Sequence, residues 1–135
     1  MTASVLSGSL NLSQLRAWYA VSDAYVSHYR AEGFNLPVLE AMGCGTHVIV
    51  SGGGATDDFL PAALGSTLHT RPGTSADQPQ VQGQFVMPDL DDLIAAMQEV
   101  VDHGATDSMA REEARSTLSE RYSWGAVTLI LLDLL

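Results

Sequence analysis

Apolar residues follow two alternating patterns along the first sixty positions of the chain. Residues 24–27 and 48–50 are short, largely apolar runs, which are typical of buried strands. Residues 12–20 and 35–42 carry apolar side chains at helical spacing instead. Helices and strands that alternate at this interval predict an α/β fold with a parallel sheet.

The residues that flank these segments support the same boundaries. Asn11 or Ser13 can cap the first helix, and Pro37 lies in the first turn of the second helix, where a missing N–H is tolerated. Gly45 suits a left-handed helix end. The glycine run 52–54 ends the second strand, and we expect it to form either a flexible turn or a loop near a bound phosphate.

The chain between residues 61 and 88 has a different composition. It is rich in Gly, Pro, Ser and Gln, and only residues 66–70 and 84–87 resemble strands. We therefore expect a long loop or excursion over 61–88, inside a single domain that covers residues 1–135. A short strand is also predicted at residues 4–6.

The end of the chain, residues 89–135, is predicted to be helical. Asp89 suits the start of the first helix, because a carboxylate is favourable at the positive end of the helix dipole. Two further helices are expected over about 107–121 and 123–135. The first helix has an apolar stripe that consists of Leu90, Leu93, Ile94, Met97, Val100 and Val101.

Large apolar side chains predict where the core lies. Trp18, Tyr19 and Trp124 are expected to anchor it rather than to form a platform for sugars. The last predicted helix is apolar on nearly all sides, since Asp133 is the one charged residue after residue 128. Because a large apolar surface is unfavourable in water, we expect the chain to self-associate or to be poorly soluble.

Composition narrows the classes of function. The 135 residues are 46% hydrophobic, which suffices for a core, and they include no apolar run long enough to cross a bilayer. The single cysteine, Cys44, has no partner for an internal disulfide, so a cytoplasmic location is expected. Six arginines, no lysine and a net charge of −10 argue against nucleic acid or an anionic membrane as partner.

The segment 32–51 contains the strongest candidate for a functional site. The helix that begins near Asn35 offers unpaired N–H groups and a positive dipole end, and Gly33 permits a tight turn before it, which together suit a phosphate. Glu32 and Glu40 can border one cleft, where a carboxylate can accept hydrogen bonds from the paired hydroxyls of a sugar or ribose. Spacing alone would also fit a solvated turn and an exposed helix face.

The order of residues over 32–45, EGFNLPVLEAMGCG, resembles the donor-site motif of retaining GT-B glycosyltransferases of family 4. The resemblance is weakest over 61–84, and it implies a partial Rossmann-like sheet, the C-terminal half of a GT-B enzyme, with C-terminal helices. Five further segments are similar to the family, namely residues 12–23, 48–53, 57–59 (which resemble a variant of one branch), 87–101 and 111–124.

The resemblance implies a role for each residue of the motif. Glu40 would hold the ribose hydroxyls of a nucleotide-diphosphate sugar, and Glu32, the candidate catalytic residue, would hydrogen-bond the donor sugar. The sugar and diphosphate would also meet the backbone N–H groups of Gly33, Phe34, Asn35 and Leu36. The family needs no metal and no separate cofactor, and it transfers the sugar to an acceptor hydroxyl with retention of configuration.

The sequence also departs from the family. The diphosphate is usually clamped by an Arg and a Lys, but this chain has no lysine, and Arg30 lies outside the position of that pair. His47 stands where proline is usual, and Ala31 and Gly43 replace Gly and Ala. We therefore expect a truncated donor domain that needs an N-terminal acceptor domain, or a second copy of the chain, as partner and that is inactive in isolation.

Two classes of function stay open at this point. The chain is either the donor half of a glycosyltransferase, or a non-catalytic module that binds a nucleotide or sugar or mediates assembly. A sugar-nucleotide epimerase of the GT-B class is a third and weaker candidate, because it shares the architecture but not the motif.

Overall fold

A computed structural model describes residue 5 and residues 7–80, 82–104 and 108–134. The elements in chain order are α1 (Leu12–Val21), β1 (Ala24–Ser27), α2 (Leu36–Gly43), β2 (His47–Ser51), a 3-10 helix (Ala55–Asp58), β3 (Gly65–Leu68), β4 (Thr70–Pro72), β5 (Val86–Pro88), α3 (Leu90–His103), α4 (Ser108–Tyr122) and α5 (Trp124–Asp133). Strands β1, β2 and β3 form a parallel sheet in that order. This arrangement confirms the predicted α/β, Rossmann-like fold.

The middle strand β2 divides the core into two layers. All of its residues are buried, as expected for a strand covered on both faces. Val48 and Val50 belong to a cluster with Met42 of α2, whereas Ile49 belongs to a second cluster with Val100 of α3. Side chains alternate between the two faces of a strand, so helices cover the sheet from both sides. Each fully buried valine or isoleucine contributes about 1.5–3 kcal/mol to stability.

Local signals determine where the helices begin and end. Asn11 and Gln14 form a capping box at α1, in which each side chain accepts a hydrogen bond from the backbone N–H of the other, at 2.9 and 3.0 Å. The Asp89 side chain caps α3 by accepting from the N–H of Asp91 at 2.9 Å. After α2 the chain turns through Gly45 at φ +80°, which confirms the predicted left-handed end.

Residues 61–88 are not one long loop, which corrects the sequence-based expectation. They include β3, the third strand of the parallel sheet, and the strands β4 and β5, which pair antiparallel as a hairpin. An added Cβ on Gly65 would lie 2.6 Å from the carbonyl oxygen of Val48, so the first residue of β3 must be small. That the whole chain forms a single domain stays a prediction.

The apolar stripe predicted for α3 is only partly covered. Val100 is buried, and Leu93 packs against the same cluster on the sheet. The remaining members of the stripe are between 43% and 72% exposed, namely Leu90, Ile94, Met97 and Val101. The predicted stripe is therefore present, but its outer side is exposed.

Two of the three expected core anchors were also placed wrongly. Tyr19 is buried, but Trp18 is 50% exposed and Trp124 is 89% exposed. Trp124 begins α5, in which no described residue is buried. Within the described part of the chain, the apolar side chains of this helix are therefore not covered by other elements.

Some predictions fall on residues outside the described ranges. Residues 4 and 6 of the predicted first strand lie there, and so does Asp107, the predicted start of α4. Among the helices that the structure describes, none combines the length and the apolar character needed to span a membrane.

Candidate functional site

The candidate residues lie at the edge of the sheet where β1 and β2 end. Because the two strands are parallel, the loop 28–35 after β1 and the loop 52–54 after β2 leave the sheet at the same edge. The Ser51 hydroxyl donates to the Tyr29 carbonyl at 2.6 Å, and the Tyr29 hydroxyl shares a hydrogen bond of 2.7 Å with the Thr56 hydroxyl. These contacts hold the two loops side by side.

Asn35 sets the start of α2. Its backbone is left-handed, with φ 66° and ψ 57°, and its side chain does not cap the helix. The side-chain amide instead donates to the Ser27 hydroxyl at 3.0 Å, and the residue is only 5% exposed. Pro37 has no N–H and the N–H of Val38 donates to the Asn35 carbonyl at 3.0 Å, so within the described first turn of α2 the N–H of Leu36 is the group left for an anionic ligand. Gly33 and Leu36, on either side, are exposed.

Phe34 holds the motif loop against the body of the protein. Its ring centroid lies 5.1 Å from that of Phe59 and 6.4 Å from that of Tyr122. Phe59 and Tyr122 also contact each other edge-on at 6.0 Å. Aromatic packing of this kind links the loop to α4, so Phe34 has a structural role beside the backbone role that the resemblance implies.

Glu40 is exposed on α2 and lies close to two tyrosines. The Tyr19 hydroxyl donates to Glu40 Oε2 at 3.4 Å, which is a long hydrogen bond. The ring of Tyr19 meets that of Tyr25 in β1 edge-on, with 5.5 Å between centroids. Burial, followed by the neighbouring Tyr25 and Glu40, raises the pKa of Tyr19 to about 12. This phenol therefore stays protonated near neutral pH and can donate to Glu40.

Tyr25 is affected by both glutamates of the motif. Burial is the main cause that raises its pKa, and the negative charges of Glu40 and Glu32 raise it further. Glu32 is exposed, and its carboxylate accepts a hydrogen bond of 3.1 Å from the N–H of Gly33. Both carboxylates therefore act on the same phenol, but the expectation that they border one cleft is not met by the cleft described next, which Glu32 lines and Glu40 does not.

A cleft of about 590 Å³ adjoins Glu32. It lies between the loop 29–32, the glycines at 53 and 54, and the β4–β5 hairpin, and Val86 of that hairpin donates its N–H to the Arg30 carbonyl at 2.7 Å. Among the predicted site residues Glu32 lines this cleft. The others do not line it, namely Gly33, Phe34, Asn35, Leu36 and Glu40.

Close packing requires glycine at two positions of the cleft. An added Cβ on Gly54 would lie 2.7 Å from the Tyr29 hydroxyl, and an added Cβ on Gly73 would overlap the ring of Phe85. The glycine loop after β2 is therefore a packed wall of the cleft.

His47 has a packing role. It is 7% exposed, and its Nε2 lies 3.0 Å from the Ser66 hydroxyl on the neighbouring strand β3. Burial, with a smaller effect from the positive charge of Arg111, lowers its pKa, so the ring is neutral at physiological pH. Within the described residues no group of three or more His, Cys, Asp or Glu side chains is arranged to hold a metal ion.

Sequence reasoning missed two parts of this edge. It placed Tyr19 in the core without its contact to Glu40, and it did not connect Tyr25 with either glutamate. The position of Tyr25 in a strand that leads directly into the motif was an available signal. No local signal pointed to the hairpin as a wall of the cleft, because its contact with Arg30 joins distant parts of the sequence.

Comparison with known proteins assigns the chain to a family. Residues 3–103 match the family described as glycosyl transferases group 1. The chain belongs to this family. It is also similar to the sulfoquinovosyl transferase SQD2 of Arabidopsis thaliana, with 27% identity over 125 residues. That match covers 92% of the chain and 22% of SQD2, so the chain spans about a fifth of the length of this relative.

Membership of the glycosyl transferases group 1 family confirms the resemblance on which the motif was interpreted. The matched range includes residues 32–45 and the sheet on either side of them. The individual roles of Glu32, Glu40 and residues 33–36 stay predictions.

Proposed function

We propose that the chain forms the donor-binding half of a retaining glycosyltransferase of the GT-B class. Such an enzyme transfers a sugar from a nucleotide-diphosphate sugar to an acceptor hydroxyl. One observation carries the proposal: in a member of the glycosyl transferases group 1 family, the loop that leads into α2 carries the exposed carboxylate of Glu32, and α2 itself carries Glu40, which accepts a hydrogen bond from Tyr19 at 3.4 Å.

Each group at this edge has a chemistry suited to part of the donor. The carboxylate of Glu40 can accept two hydrogen bonds from the ribose, and Tyr19 holds that carboxylate from the protein side. The N-terminus of α2 suits the diphosphate, whose negative charge grows as the sugar leaves. Glu32, which lines the cleft, can accept hydrogen bonds from hydroxyls of the donor sugar.

The proposal includes a partner. A leaving diphosphate needs cationic side chains, and the chain contains no lysine. Since the chain spans about a fifth of its plant relative, an acceptor domain or a second copy of the chain would supply the cationic clamp and the acceptor site. The isolated chain is accordingly expected to bind donor nucleotides without transferring sugar.

A non-catalytic module that binds nucleotide or sugar is the second candidate. The absence of lysine favours it, because the Arg and Lys pair that usually clamps the leaving diphosphate is then incomplete in the chain. Transfer or hydrolysis of a nucleotide sugar after the chain is combined with an acceptor domain would separate the two candidates. Turnover supports the enzyme, whereas binding without turnover supports the module.

Calorimetric titration of the chain with UDP, GDP and ADP tests the donor site. We expect one nucleotide to bind and Glu40→Gln to weaken that binding at least tenfold, because a hydrogen bond to a charged group contributes about 1.5–3 kcal/mol. Glu99→Gln is the matched control. Glu99 is an exposed glutamate on α3, with a side chain 73% accessible, so this variant should bind normally.

Two results would contradict the proposed donor site. One is a chain with a normal circular dichroism spectrum that binds none of the three nucleotides. The other is unchanged affinity in Glu40→Gln, which would show that the nucleotide binds without this carboxylate.

A further inference from the structure

The cleft beside Glu32 lies apart from the residues proposed to hold the nucleotide. Its lining excludes the start of α2 and Glu40, and much of its wall comes from the β4–β5 hairpin. Strand β4 and most of the loop that joins it to β5 lie within 61–84, where the sequence resembles the glycosyltransferase family least. Glu32 is the one predicted site residue that lines the cleft, so the donor motif explains only part of it.

Arg30 is a cation without a carboxylate partner in this cleft. Among the described residues Arg71 pairs with Asp77 at 2.5 Å and Arg115 with Glu112 at 2.7 Å, but Arg30 makes no ion pair within 4.0 Å. In a chain with a net charge of −10, an unpaired guanidinium is available to a ligand. Arginine binds carboxylate and phosphate groups through two parallel hydrogen bonds.

The remainder of the lining suits a hydroxylated ring. Glu32 accepts hydrogen bonds, and Gln84 both donates and accepts them. Pro72, Phe85 and Val86 give the cleft an apolar wall, against which the C–H face of a ring can pack. A volume of about 590 Å³ accommodates a ligand of monosaccharide size.

We infer that this cleft binds a sugar or polyol that carries an oxyanion, a carboxylate or a phosphate, and that Arg30 selects the charged form. Glu32 and Gln84 bind the hydroxyls, and Arg30 binds the oxyanion. The inference rests on the proposed function only where Glu32 is assigned to the donor sugar. The ligand is either the sugar of the donor or the acceptor, and the ligand pairs below distinguish the two.

The glycines that line the cleft provide a direct probe. Their backbone amides, at Gly53, Gly54, Gly73 and Gly83, fall in a separate region of a nitrogen–proton correlation spectrum. The full chain is titrated with glucose, glucuronate and glucose 6-phosphate. We expect these amides to shift saturably, with at least tenfold tighter binding of glucuronate or glucose 6-phosphate than of glucose.

Two variants assign the preference to Arg30. Arg30 is exposed, and its structural hydrogen bond uses the backbone carbonyl, so Arg30→Gln should fold normally. We expect this variant to bind charged and neutral sugars equally. Arg16→Gln, which removes an arginine of α1 that does not line the cleft, should keep the preference. Equal binding of charged and neutral sugars by the wild-type chain, or a preference that survives Arg30→Gln, would overturn the inference.

A second pair of ligands identifies which substrate occupies the cleft. Tighter binding of UDP-glucuronate than of UDP-glucose, lost in Arg30→Gln, assigns the cleft to the donor sugar. A preference that depends on Arg30 and is seen with the free sugars but not with the UDP-sugars assigns the cleft to the acceptor. If nucleotides bind but the cleft shows no preference for charged sugars, this inference alone is refuted. If charged sugars shift the cleft glycines but no nucleotide binds, the proposed donor site alone is refuted.

Discussion

The left-handed backbone of Asn35 can be tested with two substitutions that remove the same side chain. Both Asn35→Ala and Asn35→Gly lose the hydrogen bond to Ser27, which contributes about 1 kcal/mol. Alanine at φ 66° also carries the steric cost of the left-handed region, about 1–2 kcal/mol. Glycine lacks that cost but adds about 0.5–1 kcal/mol through the greater freedom of the unfolded chain.

These contributions give an order of stability. Asn35→Ala should lose about 2–3 kcal/mol of unfolding free energy and Asn35→Gly about 1.5–2 kcal/mol, which are the sums of the contributions above. Urea denaturation followed by circular dichroism measures the difference, provided that the slope with denaturant is the same in both variants. A glycine variant that is less stable than the alanine variant would refute the assigned backbone conformation.

The same variants test how the start of α2 serves the proposed donor site. Asn35→Gly can keep the left-handed turn, so its affinity for the nucleotide should stay within about threefold of the wild type, a difference of less than 1 kcal/mol. Asn35→Ala must distort the turn to relieve strain and should bind more weakly. Ser27→Ala, alone and combined with Asn35→Gly, isolates the hydrogen bond, for which we expect a coupling energy of about 1 kcal/mol.

Three further predictions concern packing, pH and association. Gly54→Ala places a methyl group 2.7 Å from the Tyr29 hydroxyl and should cost about 1–3 kcal/mol, whereas Gly43→Ala meets nothing within 4 Å and should be neutral or stabilising in a thermal melt. Because burial lowers the pKa of His47 in the folded state, the unfolded chain binds more protons below its ordinary pKa of 6.5. Stability should therefore fall as the pH drops below 6.5, and His47→Gln should flatten this part of the pH profile of unfolding. The exposed apolar side chains of α5 should make the chain self-associate, which size-exclusion chromatography with light scattering detects.

Each of these measurements has an outcome that would contradict its basis. Equal melting temperatures of Gly54→Ala and Gly43→Ala would show that Tyr29 can move away from the added methyl group without loss of stability. An unchanged pH profile in His47→Gln would assign the acid sensitivity to other groups. A monodisperse monomer at high concentration would show that the exposed apolar side chains of α5 do not cause association.

Much of the local structure could be predicted from the sequence, because its causes act over a few residues. Asn11 caps α1, Gly45 ends α2 at a positive φ, and the β-branched residues 48–50 form the buried central strand. The donor motif was recognisable for the same reason, since a turn, a helix start and two carboxylates lie within one short segment. The family match over residues 3–103 agrees with that interpretation.

The tertiary structure decided which apolar residues are covered. Helical spacing identifies the apolar side of α3, but that side is wider than the sheet surface it meets, so Val100 is buried while Val101 is 72% exposed. Trp124 is a large apolar residue, for which burial is the natural prediction, yet it is 89% exposed in the described chain. Burial depends on the neighbours that pairing of distant segments provides, and periodicity contains no information about those neighbours.

The candidate site was likewise determined partly by local sequence and partly by tertiary structure. The sequence by itself determined the motif, with Glu32, Glu40 and a helix start between them. Only the tertiary structure placed the Tyr19 hydroxyl beside Glu40 and brought the β4–β5 hairpin against Arg30. The physical reason is that parallel pairing of β1 with β2 collects the loops at one edge of the sheet, and this pairing is a long-range contact that no short segment specifies.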